Sequence, residues 1–289
     1  MAPGNLPREY STLAHALAAH LEPTLAARAW AICCRNRLKP IGQGHIQAMA
    51  EAVSPDMNQK TQSLLDVSYQ LALGQAFLVD DVNDGQVANV DVKLIPALKE
   101  VEVSVAAAAL GWPDAKIAFE WSGTQAQALE VELQRYSSRQ GYVDEENVLG
   151  RSAPVLSYFE AIARHGVAIY ASALKPLLMR YLIVAQRCDD LSDWEDDLLQ
   201  GRYTPVVQSF LEQSGSSIAE YGERFYPEVL RSVYLEGLLL RELNECHREL
   251  LDITSNVRKI SGTTEKMVSI IVHLHSIVKE NIDKISQQH

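Results

Sequence analysis

Leu71-Ala-Leu-Gly-Gln-Ala-Phe-Leu-Val-Asp-Asp-Val-Asn-Asp84 is an apolar run that ends in an acidic word, Asp80-Asp81-Val82-Asn83-Asp84. The same word returns downstream as Asp189-Asp190-Leu191-Ser192-Asp193 and continues through Trp194-Glu195-Asp196-Asp197, again after an apolar run. Both runs carry the 3.6-residue period of a buried helix. Carboxylates at the end of such a helix are costly unless a cation sits among them.

Helical period extends over most of the chain. It predicts helices at 9–20, 23–36, 45–53 and 59–83, with Gly85 as the stop signal for the last. Further helical stretches are expected at roughly 95–110, 114–138, 143–163, 165–199, 204–213, 216–253 and 262–286. Val101 to Val105 alternates like a strand, but Ala106 to Ala109 follows directly and favours helix. No linker, repeat or low-complexity segment divides the chain, so one all-α domain over residues 1–289 is expected.

Bulk properties narrow the function classes. A net charge of -11 argues against a nucleic-acid partner, which needs a basic surface. Cys33, Cys34, Cys188 and Cys246 show no CxxC or metal-finger spacing, and the N-terminus lacks a secretory pattern. No uninterrupted apolar stretch reaches membrane-spanning length, so stable membrane insertion is not expected. A reduced, cytoplasmic setting is the expectation.

Residues four apart on a helix stand nearly in line, about 6 Å apart along the axis. Asp80 and Asp84 therefore share a face, with Asp81 turned away. Continuous helix would likewise align Asp189, Asp193 and Asp197, with Asp190 beside them. Like charges so spaced repel, and a divalent cation converts that repulsion into ligation. Oxygen-only donors suit Mg²⁺, or Mn²⁺, retaining water and taking phosphate oxygens as further ligands. If the two acidic ends face each other across a central apolar cavity, cations held there would capture a diphosphate. Stepping back by helical turns from Asp80 meets Ala76, Leu73 and Tyr69, with Phe77 close by; from Asp189 it meets Ala185, Leu182 and Tyr181. These would wall the space for a hydrocarbon tail.

With those residues in view, the chain resembles the class I isoprenoid synthases, the all-α terpenoid-synthase bundle shared by trans-prenyltransferases, terpene cyclases and squalene/phytoene synthases. The resemblance runs from about Arg35 to Pro205 and is strongest at the second word. Ala185-Gln186-Arg187-Cys188-Asp189-Asp190-Leu191-Ser192-Asp193 keeps all but the Phe of the prenyltransferase Phe-Gln-x-x-Asp-Asp-x-x-Asp motif. Gly201-Arg202-Tyr203-Thr204-Pro205 approximates the Gly-Lys-x-Thr-x-Pro segment that follows. Asp189, Asp193 and Asp197 also occupy the three places of the cyclase metal triad.

The resemblance implies about three Mg²⁺ ions held by Asp80, Asp81, Asp84, Asp189, Asp190, Asp193 and Asp197. It implies a prenyl diphosphate bound through Arg151, Arg202 and Gln186, with Tyr69, Leu73, Ala76, Phe77, Tyr181 and Ala185 around the tail, and homodimers are usual in the family. Departures from the elongating enzymes matter. Cys34-Arg35-Asn36-Arg37-Leu38-Lys39-Pro40 keeps only the Arg-Leu-basic-Pro part of their co-substrate segment, and Gly85 to Val92 holds no Arg or Lys where they carry Arg-Arg-Gly. Each lost charge-assisted contact is worth about 1.5–3 kcal/mol. The expectation is a cyclase that ionises a linear prenyl diphosphate, with a trans-prenyltransferase using isopentenyl diphosphate as the alternative. A non-catalytic subunit of a partner synthase is a third reading, disfavoured because such subunits tend to lose their acidic motifs.

Overall fold

Local chemistry starts and stops the helices near the expected positions. Glu22 accepts hydrogen bonds from the Thr24 and Leu25 amides, at 3.4 and 3.1 Å, and Pro23 fills the first helical position, where no N–H is needed. The computed structural model describes residues 8–34, 44–83, 94–111, 120–121, 123–124, 127, 130, 149–150, 152–199, 201, 204–260 and 265–287, without the side chains of 8–11, 80–83 and 205. Its helices are α1 (Arg8–His20), α2 (Pro23–Cys33), α3 (His45–Val53), α4 (Gln59–Asn83), α5 (Leu94–Leu110), α6 (Ala153–Ala163) and α7 (Ala168–Asp190). They continue as α8 (Trp194–Leu199), α9 (Pro205–Ser214), α10 (Ile218–Tyr221), α11 (Phe225–Tyr234), α12 (Leu238–Val257) and α13 (Glu265–Ser286), with a 3₁₀ turn at Gly222–Arg224. No strand occurs among the described residues, and Val101 to Val105 lies within α5. The all-α expectation holds.

Two expected helices are interrupted. The stretch 216–253 divides into α10, the 3₁₀ turn, α11 and α12, because Gly222 and Gly237 take φ of 55° and 70°, outside any right-handed helix. The stretch 165–199 breaks at Leu191–Asp193, between α7 and α8.

The helices form two compact units. The first comprises Met1–Glu130, Ala153–Ser172 and Gly262–Lys266. Its centre is α4, whose Val67, Leu71 and Leu78 pack with Leu94, Leu98, Val101 and Val105 of α5, against Leu13 and Leu17 of α1 and Cys33 of α2. Burial of this apolar stripe is the main stabilising term of the unit. A polar layer lies beside it. Gln75 Nε2 donates to Glu102 Oε2 at 2.7 Å, the Ser68 hydroxyl donates to the Glu102 carbonyl at 3.1 Å, and the Tyr158 hydroxyl touches both Ser68 and Glu102. The buried Glu102 carboxylate is thereby matched to donors. The Tyr158 ring stacks edge-on against Tyr69 and Trp121, with centroids 5.2 and 4.9 Å away.

The second unit comprises Val131–Ser152, Ala173–Ser261 and Met267–His289. Arg180 pairs with Glu249 and Asp252, and Arg187 pairs with Glu242 and Glu245. The reversed order of these partners makes α7 and α12 antiparallel. Leu243, Cys246, Leu250, Ile253 and Val257 form the buried face of α12. Among the described residues α7 alone has the length and composition of a membrane-crossing helix. Lys175, Arg180 and Arg187 interrupt its apolar run, so it is not an uninterrupted apolar stretch.

Candidate functional site

The leading Asp-Asp pair of each acidic word lies in the last turn of a long helix. Asp80 and Asp81 belong to the end of α4, and Asp189 and Asp190 close α7. The side chains of Asp80 and Asp81 lie outside the described residues, as do Asp84, Arg151 and Arg202 altogether. Helix α4 falls in the first unit and residues 173–190 of α7 in the second.

The second word departs from the expected geometry. Continuous helix would align Asp189, Asp193 and Asp197, but α7 stops at Asp190. The Ser192 amide donates to the Asp189 carbonyl at 2.9 Å and the Ser192 hydroxyl to the same carbonyl at 2.6 Å. This local hydrogen bonding competes with the helix ladder, as Ser and Asp characteristically do. Asp193 then stands just before α8, its carbonyl accepting the Asp197 amide at 3.0 Å. The carboxylates are consequently sorted. Asp189 and Asp193 are exposed, whereas Asp190 and Asp197 are buried. Gln186 Nε2 donates to Asp190 Oδ1 at 3.0 Å, and the Ser192 hydroxyl also contacts Asp193 Oδ1 at 3.0 Å. The pair that meets solvent is therefore Asp189 and Asp193, not a three-residue row.

Beneath this word Tyr181, Ala185 and Gln186 are half-buried and Leu182 is buried. Burial pushes the Tyr181 phenol up to about 12, so it stays protonated. Arg187 pairs with Glu242 and Glu245 of α12. Thr204, in the Gly-x-x-Thr-Pro segment, is fully buried with its hydroxyl unpartnered, directly before α9. Among the described residues no three His, Cys, Asp or Glu side chains group as a metal site; the carboxylates of the first word are not among those residues.

Below the first word, Leu73 and Ala76 are half-buried and Phe77 is exposed. Tyr69 is fully buried, with its hydroxyl 3.0 Å from Nδ1 of His45 and its ring tilted against the imidazole. Burial lowers the His45 imidazole to about 4, so it is neutral at physiological pH. The sequence reading missed what lies one turn deeper. Gln70, with 1% of its surface exposed, donates through Nε2 to Asp66 Oδ2 at 2.6 Å. The Gly44 amide also donates to the Asp66 carboxyl. Asp66 Oδ1 and Gln70 Oε1 are buried and have no hydrogen-bond partner. Burial raises the Asp66 carboxyl to about 6, against the opposing pull of the Gln70 and Gly44 donors. The signal was present in the chain: Asp66 and Gln70 are four apart and lie on the same α4 stripe as Tyr69, Leu73, Phe77 and Asp80. No protein-family model matches the chain, and no curated protein matches its sequence.

Proposed function

We propose that this chain is a Mg²⁺-dependent class I terpene cyclase, which ionises a linear prenyl diphosphate and closes the allylic cation into a ring. One observation carries the reading: two Asp-Asp-x-x-Asp words, whose leading pairs Asp80-Asp81 and Asp189-Asp190 each lie in the last turn of a long helix. The donor chemistry suits the ion, since every candidate ligand is a carboxylate oxygen. Asp80, Asp81 and Asp84 would hold Mg²⁺ from one side, with Asp189 and Asp193 the accessible donors of the other word. Bound Mg²⁺ supplies charge neutralisation to the departing diphosphate.

The chain's own groups do the rest. Arg151, with Arg202, would add fixed positive charge to the leaving group. Leu73, Ala76 and Phe77, on α4, would offer apolar contact to the tail and keep bulk water from the cation. The faces of Phe77 and Tyr181 stabilise positive charge on carbon. The weakened basic segments at Cys34 to Pro40 and Gly85 to Val92 support a one-substrate reaction over chain elongation.

The test is incubation of purified protein with Mg²⁺ and geranyl, farnesyl or geranylgeranyl diphosphate, with and without isopentenyl diphosphate. Diphosphate release with cyclic products from a single substrate is expected, and Asp80→Ala or Asp189→Ala should abolish it while the helical circular dichroism persists. Products formed only with isopentenyl diphosphate would replace the cyclase by a prenyltransferase. Undiminished turnover in either variant would reject the metal-site assignment.

A further inference from the structure

Asp66, Gln70, Leu73, Phe77 and Asp80 succeed one another along one face of α4 at steps of three and four, with Tyr69 beside Gln70. From Asp80 to Gln70 the helix rises about 15 Å, and to Asp66 about 21 Å. The acidic word thus marks one end of the stripe and a polar cluster the other, with Leu73 and Phe77 between.

That cluster has an unusual imbalance. Gln70 Nε2 and the Gly44 amide both serve Asp66, and the His45 imidazole is engaged with the Tyr69 hydroxyl. What remains are two buried acceptors, Asp66 Oδ1 and Gln70 Oε1, without a donor. The Asp66–Gln70 bond keeps these oxygens on neighbouring side chains. An unmet buried acceptor costs about 1–3 kcal/mol, so a molecule bringing two O–H donors would relieve both. Water is the smallest such molecule, and polar internal sites commonly hold one.

We infer that Asp66 and Gln70 hold a water molecule that captures the carbocation at the tail end of the substrate, making the product an alcohol. This rests on the cyclase reading above. With both hydrogens engaged, the water oxygen keeps its lone pairs for an electrophile. A lone pair forms the new C–O bond to the cationic carbon, and one water proton passes to Asp66 Oδ1. The product is a neutral alcohol, and Asp66 is left as the carboxylic acid, which returns its proton to solvent before the next turnover. A carboxylate raised to about 6 is suited to take that proton at neutral pH. Gln70 acts as a positioning residue through its hold on both the water and Asp66.

The experiment is turnover of farnesyl diphosphate with Mg²⁺ in H₂¹⁸O, with products identified by gas chromatography and mass spectrometry. The unaltered protein should give an alcohol carrying ¹⁸O. Asp66→Asn and Gln70→Met, both close in volume to the originals, should lower the alcohol-to-olefin ratio at least about tenfold, the worth of one charge-assisted hydrogen bond. The ratio is read from whatever product forms, so a slower or less stable variant still reports. An unchanged ratio in both variants would overturn the inference. So would release of diphosphate by the unaltered protein with hydrocarbons as the only enzymatic products, while leaving the cyclase reading intact. Absence of diphosphate release from all three prenyl diphosphates would instead remove the cyclase reading, and the inference with it.

Discussion

Replacing Asp66 by Asn should stabilise the folded protein at neutral pH, although it deletes a hydrogen-bonded charge. The carboxyl has an ordinary value of 3.8 and is raised to about 6 in the fold. The folded state therefore holds the Asp66 proton more tightly than the unfolded chain does. The sign follows from this. No penalty exists below pH 3.8, where both states are protonated; it grows between 3.8 and about 6, and above that it is fully developed. The interval corresponds to an energy on the order of 3 kcal/mol. Asn is neutral throughout, keeps an oxygen for the Gln70 amide, and brings an NH₂ that can meet the orphaned Gln70 Oε1. A gain of roughly 1–3 kcal/mol is expected at pH 7.5, allowing for imperfect repacking. His45 works in the opposite direction: its imidazole is depressed from 6.5 to about 4, so its contribution is complete above pH 6.5 and is lost as pH falls toward 4. Because His45 is present in both proteins, it cancels in their difference. Urea unfolding followed by circular dichroism, at pH 7.5 and again near pH 4, measures that difference. An Asn variant less stable than the parent at pH 7.5, or an advantage undiminished near pH 4, would refute the reasoning. If the gain is found, Asp66 is a costly residue whose retention needs a reason beyond folding, as the water-capture proposal supplies.

Two further substitutions test the packing of each unit. Gly166→Ala should cost more than 3 kcal/mol, since an added Cβ would lie 2.1 Å from the Val53 carbonyl oxygen, where the Val167 amide donates at 2.6 Å and Ser54 reaches the His165 carbonyl at 3.0 Å; a near-neutral midpoint in urea would show that this turn yields easily. Arg187→Ala should destabilise by about 2–4 kcal/mol by leaving the buried Glu242 carboxylate without its cation, and adding Glu242→Gln should recover most of the loss; equal stability of the single and double variants would contradict this.

Much of the helical plan was legible because its causes are local. Glu22-Pro23 states a helix start within two residues, and Ser54-Pro55 states a stop, so α2, α3 and α4 begin and end close to the expected positions. The alternation in Val101 to Val105 was correctly subordinated to the Ala-rich continuation that makes α5. The Leu191–Asp193 break was harder. Asp189, Ser192 and Asp193 carry both a helical spacing and a local hydrogen-bonding alternative, and spacing alone did not reveal which one the backbone takes. Gly222 and Gly237 were visible as breakers, but a helix can pass through glycine, and only their positive φ shows that this one does not.

The sequence by itself determined that the chain is helical and that carboxylates cluster at two helix ends, because periodicity and composition are properties of neighbours along the chain. Tertiary structure decided which carboxylates are buried. Asp190 and Asp197 are turned inward while Asp189 and Asp193 meet solvent, and Asp66 is set beside Gln70 and Gly44 with His45 against Tyr69 close by. Burial and pairing depend on residues distant in sequence, and they set the charge and proton affinity of a side chain, which spacing cannot express.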